Sequence, residues 1–578
     1  MTQRTVTPAT PYLAPARRHL HLPLPRLHRS CLLVAAAWTC GVAMAQTVPP
    51  QLPPGAEPGR ELPRPVMPQP SAAVPRIEVP QSASSQAPTG AQDLRFTLKA
   101  LAIEGVTAFP PDALRALYAG LLDREVSVAE VFAVANAIEL RYRQAGYVTS
   151  RVIVPQQTVD NGRFRIVVVE GFVSDVVYQG DIGPARAAVE RLLTGLRGVK
   201  PIGLAEIERR LLLANDLPGL TVRGTLEPST SELGGSVLVV RSERRATDGH
   251  ATLDNRASPY LGSGQLQVSQ AWNAVGERAD RFSLSARTSL PTGRSIGIGA
   301  GYDALIGANG AMFNLALSHG RSNPRRELEP LDVKSRVTSA LGTVTLPAIR
   351  SRDENLRVFG QVEVRDVETD LTGVQFTRDN LRIARAGLSY DRSDAWDGIT
   401  TVRGQLHQGL SSSRNRSPLA SRANGRNDFT KLTLDITRLQ QLTPRLSAVV
   451  SATSQFSRSP LLASEELGLG GSSFGRAFDE GEMASDNGVA ATLELRYVPD
   501  VQALPMQLYG YVDGGRVWAA KGGNVPSPAR MTSAGGGVRA RLSEQFFATV
   551  EVAKPLNTVV RTEGNKHPRA FVSLTAQF

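Results

Sequence analysis

Cysteine is almost absent from this 578-residue chain: Cys31 and Cys40 are the only two, and both lie in the first 45 residues. Those 45 residues carry Arg4, Arg17, Arg18, Arg26 and Arg29, no acid, and an apolar run from Cys31 to Ala45. Ala43-Met44-Ala45 before Gln46 fits a small-x-small cleavage site, so residues 1–45 are read as a secretory signal. A chain cut there has no cysteine, which excludes a disulfide scaffold, thiol catalysis and cysteine-ligated zinc. Histidine is nearly as scarce. Three of the seven, His19, His21 and His28, belong to the signal, while His250, His319, His407 and His567 stand apart without metal-ligand spacing. No metal and no cofactor is expected. Long apolar runs are missing too: the one in the signal is shorter than the roughly 20 residues a membrane-spanning helix needs.

Charge of one sign is also in short supply. Removing the five signal arginines from 65 Lys and Arg leaves 60, against 53 Asp and Glu. The charges are scattered along the chain, so no basic stripe for nucleic acid is formed. No Walker motif and no strand–Gly-x-Ser-x-Gly–helix nucleophile elbow is expected. The "GIGAG" run at Gly297–Gly301 sits in an alternating segment with no helix after it, and reads as small strand residues. These absences point away from an enzyme.

What is present changes character three times. Residues 46–93 form a linker, with twelve prolines among residues 46–90, too proline-rich for a core or a long helix. From residue 94 the order is strand, helix, helix, strand, strand. "RFTLKALAIEG" is the first strand. A capping box, Ser127-Val-Ala-Glu130, opens a helix with Val131, Val134, Ala135, Ile138 and Tyr142 on one face. Gly146 ends it, and Asp160-Asn161-Gly162 is read as the turn joining the last two strands. The same order repeats over 172–244, so two tandem α+β modules, 94–171 and 172–244, are expected.

Beyond 245 the helical period disappears. In "NLRVFGQVEVRD", "KLTLDIT" and "ATLELRY" apolar residues alternate with charged or polar ones, so each strand has one apolar and one charged face. About sixteen such strands, mostly 9–15 residues long, exceed the soluble mode of about 5–6. They fit a membrane barrel, apolar outward and polar inward, which must close because no open edge survives in hydrocarbon. The predicted fold is an all-β transmembrane barrel of about 16 antiparallel strands over 245–578, preceded by the two modules. Lumenal carboxylates such as Glu363, Asp435 and Glu494 are expected to form a solvated lining. "GSSFGRAFDEGE", Gly471–Glu482, has no strand alternation and lies in the longest connection. It is the candidate plug, folded inward over 458–484.

"RYRQAGYVTSRVIVPQQTVDNGRFRIVVVEG" (141–171), "NDLPGLTVRGTLEPSTSELGGSVLVV" (215–240) and "LDNRASPYLGSGQLQVSQAWNAVG" (253–276) resemble the two-partner secretion transporters, the ShlB/FhaC/HecB (TpsB) family. That family belongs to the BamA-like POTRA–barrel superfamily. The resemblance implies that the modules are POTRA domains in the periplasm and the barrel a bacterial outer-membrane pore. Two superfamily motifs extend it. V-R-G-[YF] is matched in part by Gly475-Arg476-Ala477-Phe478. [FG]-x-D-x-G, on the thirteenth strand, is matched by Tyr511-Val512-Asp513-Gly514-Gly515, with Tyr511 at the first position. By that resemblance the loop folds into the lumen as a loop–barrel lock and Arg476 pairs with Asp513. Glu494 is available as a second carboxylate, and Tyr511, Gly515 and Phe478 complete the site. Should Ala477 occupy a positive-φ position it would be strained and displace the loop tip. Family members with a helix in the pore imply at most a partly ordered segment here.

The resemblance implies a non-enzymatic translocator that binds an exported, unfolded exoprotein (an adhesin, haemolysin or toxin) and secretes it through the barrel. Its other partner is outer-membrane lipid; it takes no nucleic acid and is expected to be monomeric. The alternative is a factor that inserts other barrel proteins, for which more modules than two would be expected.

Overall fold

The computed structural model describes residues 52–56, 59–60, 67, 86–410, 419–422, 424–501, 504–523 and 529–578. The signal segment, with both cysteines, and most of the proline-rich linker lie outside the described residues.

The alternation of apolar and charged residues is realised as a closed antiparallel barrel of sixteen strands. It runs from Thr247–Asp254, the first strand, to Arg569–Gln577, the last, and these two pair with each other from Ser573↔Asp254 to Gln577↔His250. Leu432, Val362 and Leu493 point outward and are exposed at 47%, 57% and 50%. Their neighbours Lys431, Glu363 and Glu494 point inward and are buried. A period of two can place apolar side chains against lipid and ions inside only in this way. Strands six to eight are longer than the sequence suggested, at 17, 18 and 20 residues (Lys334–Arg350, Glu354–Leu371, Val374–Ser393). The chain's C-terminus is tied in at Phe578, whose N–H and C=O pair with Gly249 at 3.0 and 2.8 Å. Asn255 also ties the seam, donating to Ala570 O and accepting from Val572 N–H.

In the first α+β module the expected single strand "RFTLKALAIEG" is divided. Arg95–Leu98 pairs antiparallel with an additional strand, Arg124–Ser127, while Ala100–Glu104 pairs in parallel with Arg163–Val169. The break falls where the N–H groups of Lys99 and Ala100 both turn to the carbonyl of Gly162, so the chain changes partner within one residue. The capping box is formed: Glu130 N–H donates to Ser127 Oγ and Ser127 N–H to the Glu130 carboxylate. The helix it opens, Val128–Gln144, buries Val131, Val134, Ala135, Ile138 and Tyr142. The second module has the expected order, with its sheet arranged Phe172–Gly180, Gly235–Arg244, Leu220–Pro228.

That second module is packed onto one end of the barrel. Its core includes Ala274, Ala279 and Leu305 from the barrel turns, and Leu213 lies against Gly310. Asp216, capping the helix Leu204–Asn215, takes a bidentate ion pair from Arg350 at 2.7 and 2.7 Å. The turn after the second barrel strand, Gly264–Asn273, is therefore on the module side. Connections from odd to even strands, including the one that carries Arg476, open at the opposite mouth.

Glu170, between the modules, is buried and accepts from Thr107 N–H, Ala108 N–H and Tyr142 Oη at 2.7, 2.8 and 2.8 Å. Burial pushes its pKa up, but these donors outweigh that and hold the carboxyl below its ordinary value. Its stabilising contribution is therefore complete above the unfolded value of about 4.3 and disappears as pH falls through the folded one. Glu170→Gln should cost about 1–3 kcal/mol of local stability at pH 7. Hydrogen exchange of the Thr107 and Ala108 amides should show that deficit shrinking as acid protonates the wild-type carboxyl. Arg350→Ala, in turn, should leave the barrel heat-modifiable yet speed proteolysis between the second module and the first barrel strand.

Candidate functional site: a loop locked inside the barrel

The eleventh strand, Leu446–Ser457, and the twelfth, Asn487–Tyr497, are joined by a connection that turns into the lumen. It descends through Leu461–Glu466, forms a small two-stranded ladder (Leu467–Leu469 with Met483–Ser485), and reaches its tip between residues 470 and 482. The four glycines of the tip have a use. Gly470, Gly471, Gly475 and Gly481 all have positive φ, and at Gly475 a Cβ would meet Met531 Sδ at 2.2 Å. Ala477 is not among the positive-φ residues, so the strain considered for it does not arise. It is fully buried, its N–H turned to Ser533 Oγ (3.4 Å) and its carbonyl to Arg569 Nη1 (2.9 Å).

Arg476 reaches the wall formed by strands twelve and thirteen (Met506–Trp518). Its Nη1 donates to Glu494 Oε2 at 2.5 Å and its Nη2 to Thr492 Oγ1 at 3.3 Å. Asp513 forms an ion pair with the guanidinium, its Oδ2 3.6 Å from Nε, and also accepts from the backbone N–H of Arg476 at 3.1 Å. The guanidinium therefore ion-pairs with both carboxylates and hydrogen-bonds to Glu494, while Asp513 also fixes the loop's main chain and accepts from Ser533 Oγ. Two further contacts position the guanidinium. The Arg476 guanidinium carbon lies over the Tyr511 ring, 3.9 Å from its centroid, a contact worth up to about 2 kcal/mol when desolvated. Tyr511 is itself held by Glu551 at 2.8 Å, which sets where the guanidinium plane can lie.

The apolar side of the tip is Phe478, packed with Leu467, Leu469, Phe474, Met483 and Met531. Gly515 lets the loop approach: a Cβ there would meet Leu469 Cδ1 at 2.6 Å and Ala490 Cβ at 2.8 Å. At the far side of the tip Asp479 is ion-paired with Arg569 of the last strand at 2.7 Å. Gly471-Ser472-Ser473-Phe474-Gly475 does have Gly-x-Ser-x-Gly spacing, but it runs through irregular loop, with no helix following it and Phe474 buried in the apolar cluster.

Sequence reasoning did not find the loop's other attachments. Glu363, expected in a solvated lining, is instead 3% exposed and bound to Arg365 (2.6 Å) and Arg385. Loop residue Glu465 enters the same cluster. Nor were Arg60 and its surroundings apparent. Residues 52–56 and 59–60 of the proline-rich segment lie within the barrel. Gly55 O accepts from Ser258 Oγ at 2.9 Å, and Arg60 pairs with loop residue Glu466 at 3.0 Å. Among the described residues of this segment the secondary structure is a 3-10 turn, Pro54–Ala56. The only signal for these contacts is that a lumen-facing charge needs a partner, which does not say which one.

A closed barrel with α+β modules at one mouth and a loop bound inside its lumen defines an outer-membrane transporter of the POTRA–barrel class. The family model for "Haemolysin secretion/activation protein ShlB/FhaC/HecB" matches residues 234–540, and that for "POTRA domain, ShlB-type" matches 96–171. The chain belongs to the ShlB/FhaC/HecB family. The outer membrane transporter CdiB of Dickeya dadantii (strain 3937) is 24% identical over 445 residues, 74% of this chain and 77% of that protein. The heme/hemopexin transporter protein HuxB of Haemophilus influenzae (strain ATCC 51907 / DSM 11121 / KW20 / Rd) is 23% identical over 504 residues, 82% of this chain and 86% of its own. In fold the chain is similar to the solved structure of CdiB from Escherichia coli, with TM-score 0.69, 20% identity, and 88% and 94% of the two chains covered.

Gly515→Val should drive Leu469 off the wall and unseat the tip. The expected outcome is an inserted, heat-modifiable barrel whose loop becomes accessible to protease from the outer mouth, whereas Gly510→Val, on the same strand, should not expose it.

Proposed function

We propose that the two modules receive an unfolded exoprotein in the periplasm and that the barrel passes it to the cell surface, without covalent chemistry. The loop from Leu461 to Glu482 would be the movable element, and Arg476, Glu494, Asp513, Tyr511, Phe478 and Gly515 its lock. The observation that carries this reading is that the loop is bound to the barrel wall by side-chain contacts, while its ladder, Leu467–Leu469 with Met483–Ser485, forms a separate sheet from the barrel. Side-chain ion pairs can be exchanged for water without opening the sheet, which hydrocarbon would not permit.

Export needs no nucleotide in this scheme; folding of the exoprotein outside the cell supplies the direction. The edge strand Phe172–Gly180 of the second module offers Val177, 39% exposed, to an incoming extended segment, so capture would proceed by strand addition. The cargo would be a large secreted partner, as the resemblance to the two-partner secretion transporters implies, and the chain would act as a monomer in lipid.

Deleting the protein should remove one large exoprotein from the medium and leave other barrel proteins assembled; general loss of barrel proteins would favour an insertion factor instead. A photocrosslinker at Val177 should capture that exoprotein in transit. Arg476→Ala should reduce its secretion at least several-fold with the barrel still inserted, because Glu494 keeps Arg496 (2.7 Å) and Arg539 (2.9 Å) as partners. Unchanged secretion would remove Arg476 from the mechanism.

A further inference from the structure

The backbone ladder of the seam stops short of the outer mouth. Its last pair is Ser573↔Asp254, prolonged by the hydrogen bonds of Asn255 to Ala570 and Val572. Past that point the two seam strands are joined by side chains. Arg256, two residues beyond the first strand, lies over the ring of Phe571 of the last strand, its guanidinium carbon 4.0 Å from the centroid. Its Nη2 reaches Glu551 of the fifteenth strand (Phe546–Pro555) at 2.6 Å. Glu551 also accepts from Tyr509 Oη and Tyr511 Oη at 2.7 and 2.8 Å. These phenols cross the fourteenth strand (Arg530–Arg541) where it is glycine: a Cβ at Gly535 would meet Tyr511 Oη at 2.6 Å, and one at Gly537 would meet Tyr509 Oη at 2.9 Å. A belt of side chains thus runs from the thirteenth strand, across the seam, to the chain beyond the first.

The loop tip is built into this belt. Arg256 Nη1 donates to the carbonyl of Arg476 at 3.3 Å. Arg569 Nη1, at the start of the last strand, donates to the next carbonyl, Ala477 O, at 2.9 Å. Two consecutive carbonyls of the tip are therefore held by one arginine from each side of the seam. Arg476 closes the circuit by lying over Tyr511, and Arg569 adds its ion pair to Asp479 of the tip. From this geometry we infer that Arg256 and Arg569 are positioning residues that couple the tip to the seam. The tip is the clasp of the barrel where its ladder ends. Such coupling is reciprocal: if departure of the tip loosens the seam, fastening the seam must hold the tip. A conduit that admits a polypeptide then widens at the step that unlocks it, with no second signal.

This inference rests on the loop being the movable element, and its test needs no cargo. A chain without its signal has no cysteine, so introduced thiols report cleanly in the full-length protein in membranes. Ala477→Cys, buried at the tip, reports release through its rate of reaction with a small water-soluble thiol reagent. Thr252 Oγ1 and Thr575 Oγ1 lie 3.0 Å apart across the seam, so Thr252→Cys with Thr575→Cys, once oxidised, fastens it. The control disulfide is Thr437→Cys with Ser451→Cys, whose hydroxyls lie 3.2 Å apart on the tenth strand (Thr430–Thr443) and the eleventh, which leads into the loop. The seam disulfide should slow labelling of Ala477→Cys at least about tenfold, reversibly on reduction, and the control should not. In the Arg256→Gln, Arg569→Gln double variant the seam disulfide should no longer change the rate, an outcome that a merely structural role would not produce. Equal slowing by both disulfides, no slowing by the seam disulfide, or slowing that survives in the double variant would each overturn the coupling. Should the double variant fail to insert, each single variant is read the same way, with partial loss of the effect expected. Failure of all three to insert would make the arginines a requirement of assembly and overturn the positioning role. A tip that is never labelled, even in Gly515→Val, removes the movable loop and this inference with it; a tip labelled at a rate indifferent to the seam removes this inference alone.

Discussion

A strand in hydrocarbon must be hydrogen-bonded on both edges, and the rest of this structure depends on that constraint. It forces sixteen strands to close on themselves, the last against the first. Closure creates an interior, and an alternating strand then has nowhere to put its charged face except that interior. The seam is short, from Ser573 to Gln577 on one side. Asn255 and the terminal Phe578 add hydrogen bonds around it. The position of every lumenal charge follows from this geometry.

Once charges are inside, the low-dielectric wall makes each of them expensive unless paired, and the pairing decides what else the lumen holds. Glu494 and Asp513 sit on adjacent strands, twelve and thirteen, so both reach one guanidinium and one backbone amide of the loop. Lys431 and Arg365 sit on strands ten and seven and converge on Glu465 only because the barrel curves. Arg60 meets Glu466 from a segment some 400 residues earlier in the chain. The loop is thus less a plug dropped into a pore than the completion of the wall's electrostatics. Gly515 and Gly475 supply the clearance, since a Cβ at either would collide with Leu469 or Met531.

Much of this was legible in the residues. The capping box at Ser127, the apolar face of the helix it opens, the repeated module order and the outward and inward faces of the barrel strands all depend on contacts close in sequence or on period alone. The resemblance to the two-partner secretion transporters brought Arg476, Asp513 and the inward fold of the loop into view. Other features were not legible for identifiable reasons. The split at Lys99 depends on a carbonyl, Gly162 O, more than sixty residues away. Strands six to eight run past the lengths expected, because polar residues at their ends extend the ladder outside the apolar band. That Arg476 ion-pairs with Asp513 but hydrogen-bonds through its side chain to Glu494, with the Tyr511 ring beneath it, is something no motif spacing encodes.

Sequence by itself determined the class of this protein: two α+β modules and a sixteen-strand barrel follow from periodicity and repetition, because a strand's period of two and a helix's 3.6 are local properties of the chain. Membership of the ShlB/FhaC/HecB family was likewise visible in short motifs. Only the tertiary structure decided which charges meet, that Glu465 is gripped at the base, and that Glu363 lies in an ion cluster instead of open water. The reason is that ion pairing in a barrel depends on curvature and on side chains from strands far apart in sequence. A linear pattern states that each lumenal charge needs a partner; only closure of the sheet selects it.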